Sequence, residues 1–126
     1  MRTSRDKLFA KLRDTVSDER VVEAMLQVDR AEFVPENVRD RAYEDVALPI
    51  GAGQTISQPF MVAIMTAALG LRRSDTVLEV GTGSGYQAAI IAEIVSKVVT
   101  VERVPALAKA ALSVLNSKGY ETIDGQ

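Results

Sequence analysis

The chain has no cysteine and no histidine among its 126 residues. Without cysteine there is no disulfide framework, and the cytoplasm is the expected home. Without histidine there is no Ser-His nucleophile, no His-ligated metal site and no use of the commonest general base. A bound metal is not expected. Any chemistry falls to carboxylates, hydroxyls, backbone groups or a borrowed cofactor. Long apolar runs are also missing, and none approaches the roughly 20 residues of a membrane span. The opening stretch "MRTSRDKLFAKLRDTVS" is charged throughout and lacks the apolar core of a signal peptide. Clustered positive charge is missing too. Fifteen Lys and Arg alternate with 17 Asp and Glu, for a net charge of -2. The basic stripe of a nucleic-acid binder is absent, so nucleic acid is not an expected partner.

What is present suffices for one domain with a modest core. The chain is 47% apolar and 25% charged, which reads as soluble and globular. Leu8, Phe9, Leu12 and Val16 predict an amphipathic helix over 4–16. Ser17 is the expected N-cap of a second helix running to about Val28. A short helix follows Pro35. Residues 44–57 lack lasting periodicity and read as an ordered loop with short extended pieces. Pro59 opens a helix ending at Gly70, apolar nearly all round and so expected to be buried. "TVLEV" is a strand, "YQAAIIAEIV" a helix and "KVVTVE" a second strand. Pro105 opens a last helix to about Ser117, with Gly119 as its C′ residue. Strands alternating with helices imply a parallel sheet built by right-handed crossovers. Residues 1–58 form an N-terminal helical and loop segment, 59–126 an α/β core, within one structural domain.

The strongest chemical signal is "LEVGTGSGYQ", a glycine loop between strand and helix. A dinucleotide fingerprint requires glycine at position 86, where this chain has Tyr86. The Gly-Lys-Ser/Thr of a phosphate-binding loop is absent as well. The spacing therefore favours a cofactor without phosphates, S-adenosylmethionine above all. Glu102 ends the second strand, where an acid can accept hydrogen bonds from ribose hydroxyls. The alternative is a plain turn with a solvated strand end. Ser57 also has two readings, a site residue or the N-cap of the helix opened by Pro59.

"RAEFVP", "AYEDVALPIGAGQTISQPFMVAIM", "VLEVGTGSGYQAAIIA" and "VVTVER" together resemble the protein-L-isoaspartate O-methyltransferase family. "GQTISQP" is the most specific part. The resemblance implies a Rossmann-like, S-adenosylmethionine-dependent methyltransferase fold. It implies methylation of isoaspartyl residues in damaged proteins, leaving S-adenosylhomocysteine and an ester that closes to a succinimide. By the same resemblance Ser57 is the active-site residue. Gln54, Thr55 and Ile56 line the cleft and Met61 touches the cofactor. Glu79, Gly81, Thr82, Gly83, Gly85 and Glu102 are the remaining candidate cofactor ligands.

The family continues beyond Gln126. The core is therefore expected to stop after its second strand, leaving Val77, Leu78 and Val80 without neighbours on one side. Three alternatives follow: a fragment of a longer protein, a chain completed by dimerisation or domain swapping, or a natural truncation without activity. An inactive half-domain with an assembly or binding role is the alternative to an enzyme.

Overall fold

Thr3 starts the first helix. Its hydroxyl accepts the Asp6 amide, and the Asp6 carboxylate accepts the Thr3 amide, each at 3.1 Å. Two otherwise orphaned donors are satisfied reciprocally. This helix, α1, spans Ser4–Thr15 and turns Leu8, Phe9 and Leu12 inward. The computed structural model describes residues 2–126. Helix α2, Glu19–Gln27, is capped by Asp18 and not by Ser17; the Asp18 carboxylate accepts the Arg20 amide at 3.1 Å. An acid at that place also suits the positive end of the helix. Two short 3-10 turns follow, Arg30–Phe33 and Glu36–Arg41.

The expected loop over 44–57 contains an antiparallel hairpin. Strand β1, Leu48–Gly51, pairs with β2, Gln54–Ile56, with Leu48 opposite Ile56. Helix α3, Pro59–Ala68, differs from expectation in its burial. Pro59, Val62, Ala63 and Thr66 are inside, but Met65 is 59% exposed, and Leu69 just beyond the helix is 56% exposed. Helix α2 packs on one side of α3. The exposed side has no cover among the described residues, so an apolar composition did not bring full burial.

Strand β3, Thr76–Val80, leads through the glycine loop into α4, Tyr86–Ala92, and back to β4, Lys97–Val101. The two strands are parallel and in register from Thr76–Lys97 to Val80–Val101. Helix α5, Pro105–Ser117, ends on Gly119, whose φ is +78°. The Gly119 amide donates to Asn116 O and the Tyr120 amide to Leu115 O, a paired C-terminal closure. That closure turns the chain at once into β5, Ile123–Gly125, which pairs parallel with β4. The sheet therefore has three strands in the order β3-β4-β5, one more than expected.

β3 lies at the edge. Of the three residues expected to be bare, Leu78 is 64% and Val80 80% exposed, but Val77, on the opposite face of the strand, is partly buried against the core. Self-association through this edge finds no support in the fold. The core joins the N-terminal helices to the α/β unit in one cluster containing Leu12, Met25, Leu48, Ile90 and Val98. Burying each of these side chains contributes about 1.5–3 kcal/mol. Among the described residues no helix is long and apolar enough to cross a membrane.

Candidate functional site

The glycine loop is held by its own amides. Gly81 N and Thr82 N both donate to Val101 O, at 2.8 and 3.1 Å. Gly83 N donates to Glu102 Oε1 at 2.8 Å, Gly85 N to Thr82 O at 2.9 Å and Tyr86 N to Ser84 Oγ at 3.2 Å. Gly81 is required by its φ of +92°, since a Cβ there would meet nothing within 4 Å. Gly85 serves packing as well: a Cβ would lie 3.3 Å from Leu115 Cδ1 and 3.4 Å from Ala111 Cβ. It lets α4 approach α5.

Two carboxylates flank the loop. Glu102 accepts Gly83 N with one oxygen and Val104 N, at 3.0 Å, with the other. These amides, Gly83's first, hold its carboxyl below the usual carboxylate range. Glu79 stands in the opposite environment. Burial pushes its pKa up to about 7; the Thr100 hydroxyl pulls against this and the charge of Glu102 adds to it. Thr100 Oγ1 donates to Glu79 Oε1 at 2.6 Å and meets Thr82 Oγ1 at 2.6 Å. With the Thr100 proton committed to Glu79, Thr82 is the donor of the second bond.

Two cavities meet at the end of β3. The first, of about 500 Å³, sets Gln54 and Thr55 of the hairpin against Gly81, Gly83 and Glu102. The second, of about 420 Å³, is lined by Ser57, Glu79, Gly81 and Gln87 together with apolar Met65 and Leu78. Val80 and Gly81 border both. Four candidates fall elsewhere. Ile56 is buried core and Thr82 is buried in the threonine chain. Met61, 39% exposed, and Gly85 line neither cavity.

Ser57 does not cap α3. The N-cap position is Gln58, without a side-chain bond. The Phe60 amide goes instead to Asp45 Oδ1 at 2.9 Å. Burial alone would raise the Asp45 pKa, but Lys11 and the Phe60 amide outweigh it and hold the carboxyl below its ordinary value. With Asp45 in the capping role, Ser57 is exposed and its hydroxyl has no hydrogen-bond partner among the described residues. It also means that the amide end of α3 already faces a carboxylate. Asp45, Thr100 and Arg30 are the site-shaping residues that the sequence reading does not single out. Arg30 stands in the quoted "RAEFVP", yet nothing in a linear pattern shows that it points inward.

The family model described as protein-L-isoaspartate(D-aspartate) O-methyltransferase matches residues 3–125. The chain belongs to the protein-L-isoaspartate O-methyltransferase family. The relative from Methanopyrus kandleri is 54% identical over 125 residues, covering 95% of this chain and 55% of its own length. The one from Roseiflexus sp. is 57% identical over 108 residues, covering 86% and 50%. The chain thus spans about half the length of the curated relatives it matches. A solved protein-L-isoaspartate O-methyltransferase superposes with a TM-score of 0.85 at 29% identity, covering 97% of this chain and 41% of that one. A second, described as a putative protein-L-isoaspartate O-methyltransferase from Plasmodium falciparum in complex with S-adenosyl-L-homocysteine, gives 0.81 at 25%, covering 99% and 63%.

The first cavity of this methyltransferase-family chain is lined by charges of both signs, Glu102 and Arg103. It has a carboxylate at the strand end, a glycine floor open to close approach, and loop amides already bonded within the protein.

Proposed function

We propose that this chain is the cofactor-gripping N-terminal part of an S-adenosylmethionine-dependent methyltransferase acting on the carboxylate of L-isoaspartyl residues in damaged proteins. One observation carries the reading: the "GQTIS" hairpin and the glycine loop, far apart in sequence, line one cavity ending at Glu102. Glu102 has lone pairs left for ribose hydroxyls after accepting two amides. Gln54, Thr55, Gly81 and Gly83 form the walls. S-adenosylmethionine, when bound, supplies an electrophilic methyl group. The acceptor carboxylate is ionised near pH 7, its ordinary pKa being about 4, so no general base is required of this chain. Ser57, free of capping duty and facing the second cavity, orients that carboxylate. Its worth is alignment, where small displacements cost large factors in rate.

The test uses labelled S-adenosylmethionine with an isoaspartyl peptide and its aspartyl twin. Equal labelling of the two sinks the substrate assignment. Ser57→Ala should lower transfer by about a hundredfold while leaving S-adenosylhomocysteine affinity and melting temperature unchanged. A second reading, a half-domain without activity of its own, is favoured by the exposed Leu78 and Val80 beside the second cavity. It predicts cofactor binding by calorimetry at most, and no methyl transfer.

A further inference from the structure

Arg30 is wholly buried, and no carboxylate lies within salt-bridge distance of it among the described residues. A buried cation without a counter-ion is costly, so its hydrogen bonds carry the explanation of its presence. Nε donates to Ala42 O at 2.7 Å. Nη2 donates to Ser57 O at 3.0 Å and, more weakly, to Val46 O at 3.4 Å. The guanidinium also sits 4.9 Å from the Tyr86 ring centre, on the first residue of α4. Nη1 is buried without a partner. The geometry serves three carbonyls with Nε and Nη2 and leaves both N–H groups of Nη1 unserved. Two of them, Ala42 and Val46, precede the hairpin and Ser57 follows it.

We propose that Arg30 is a positioning residue for the candidate site, acting through the Ser57 backbone. It closes the base of the hairpin and holds Gln54, Thr55 and Ser57 toward the glycine loop. The inference rests on the site reading above. Asp45 completes the hold from the other side by taking the Phe60 amide, so residues 57–60 are fixed by one cation and one anion from the preceding segment. Only a planar fork reaches carbonyls in divergent directions from one stem; a lysine ammonium is a single point on a flexible chain.

The test compares the full chain with Arg30→Met and Arg30→Lys. The readouts are hydrogen exchange across 48–60 and 97–101, and calorimetry with S-adenosylhomocysteine. Arg30→Met fills the space and removes the buried charge, so it should fold. Both variants should accelerate exchange in 48–60 by about tenfold or more, with 97–101 unchanged. S-adenosylhomocysteine affinity should fall in parallel. Lysine should not rescue it. Wild-type exchange in 48–60 in either variant, uniform acceleration over both segments, or failure of both variants to fold would each overturn the proposal. A wild-type chain that binds no S-adenosylhomocysteine refutes the site reading instead, and the exchange comparison still decides the role of Arg30.

Discussion

Glu79→Gln is the sharpest perturbation of the site's electrostatics. In the folded chain the carboxyl titrates near 7, against an ordinary value of 4.5. A raised pKa means that the fold prefers the protonated form. The stability this lends is complete below pH 4.5, declines as pH rises, and is gone above about 7. At 1.36 kcal/mol per pH unit the whole effect is about 3 kcal/mol, and access of water from the second cavity makes that figure a ceiling. Glutamine is neutral at every pH and keeps an oxygen for the Thr100 hydroxyl. Urea denaturation of both proteins at intervals from pH 4 to 8.5 isolates the carboxyl, since distant groups cancel in the difference. Near pH 4 the two curves should coincide. By pH 8 the variant should be more stable by about 1.5–3 kcal/mol, a midpoint shift of about 1 M urea. A difference that stays constant across the range would refute the burial of Glu79 as the cause.

Two substitutions test the fold around the cavities. Gly85→Ala forces a side chain onto a left-handed residue and against Leu115, and should cost about 2 kcal/mol in urea melts. Val80→Lys, on the bare edge, should change stability by no more than about 0.5 kcal/mol, whereas Val98→Ala in the fully buried centre of the sheet should cost about 2 kcal/mol.

Much of this architecture is written in local signals. Pro59 and Pro105 start helices, Gly119 stops one, and "TVLEV" and "KVVTV" pair as parallel strands because each is short, apolar and flanked by turns. The hairpin was within reach: "GAG" between "LPI" and "QTI" is a turn between extended pieces. The Ser17 and Ser57 caps failed for one reason. A carboxylate competes for the same amide, from the next residue at Asp18 and from fifteen residues away at Asp45. Only the first of these competitors is visible in a linear reading. β5 was hidden by its length, since three residues carry no periodicity. Ile56 and Met61, five residues apart, differ in exposure because one ends a strand packed on the core and the other lies on the outer side of a helix. Arg30 looks like any exposed arginine until Ala42, Val46 and Ser57 turn their carbonyls toward it.

The internal bonding of the glycine loop bears on competition among ligands. Loops that grip nucleotides do so by leaving amides unpaired for phosphate oxygens. In this chain Gly81, Thr82 and Gly83 are already committed, two to Val101 and one to Glu102, whose carboxylate shares the cavity lining with Arg103. A diphosphate would have to break these bonds and approach a carboxylate to enter. With these three amides committed and the Glu102 carboxylate beside them, this stretch of the loop is poorly furnished to receive a diphosphate.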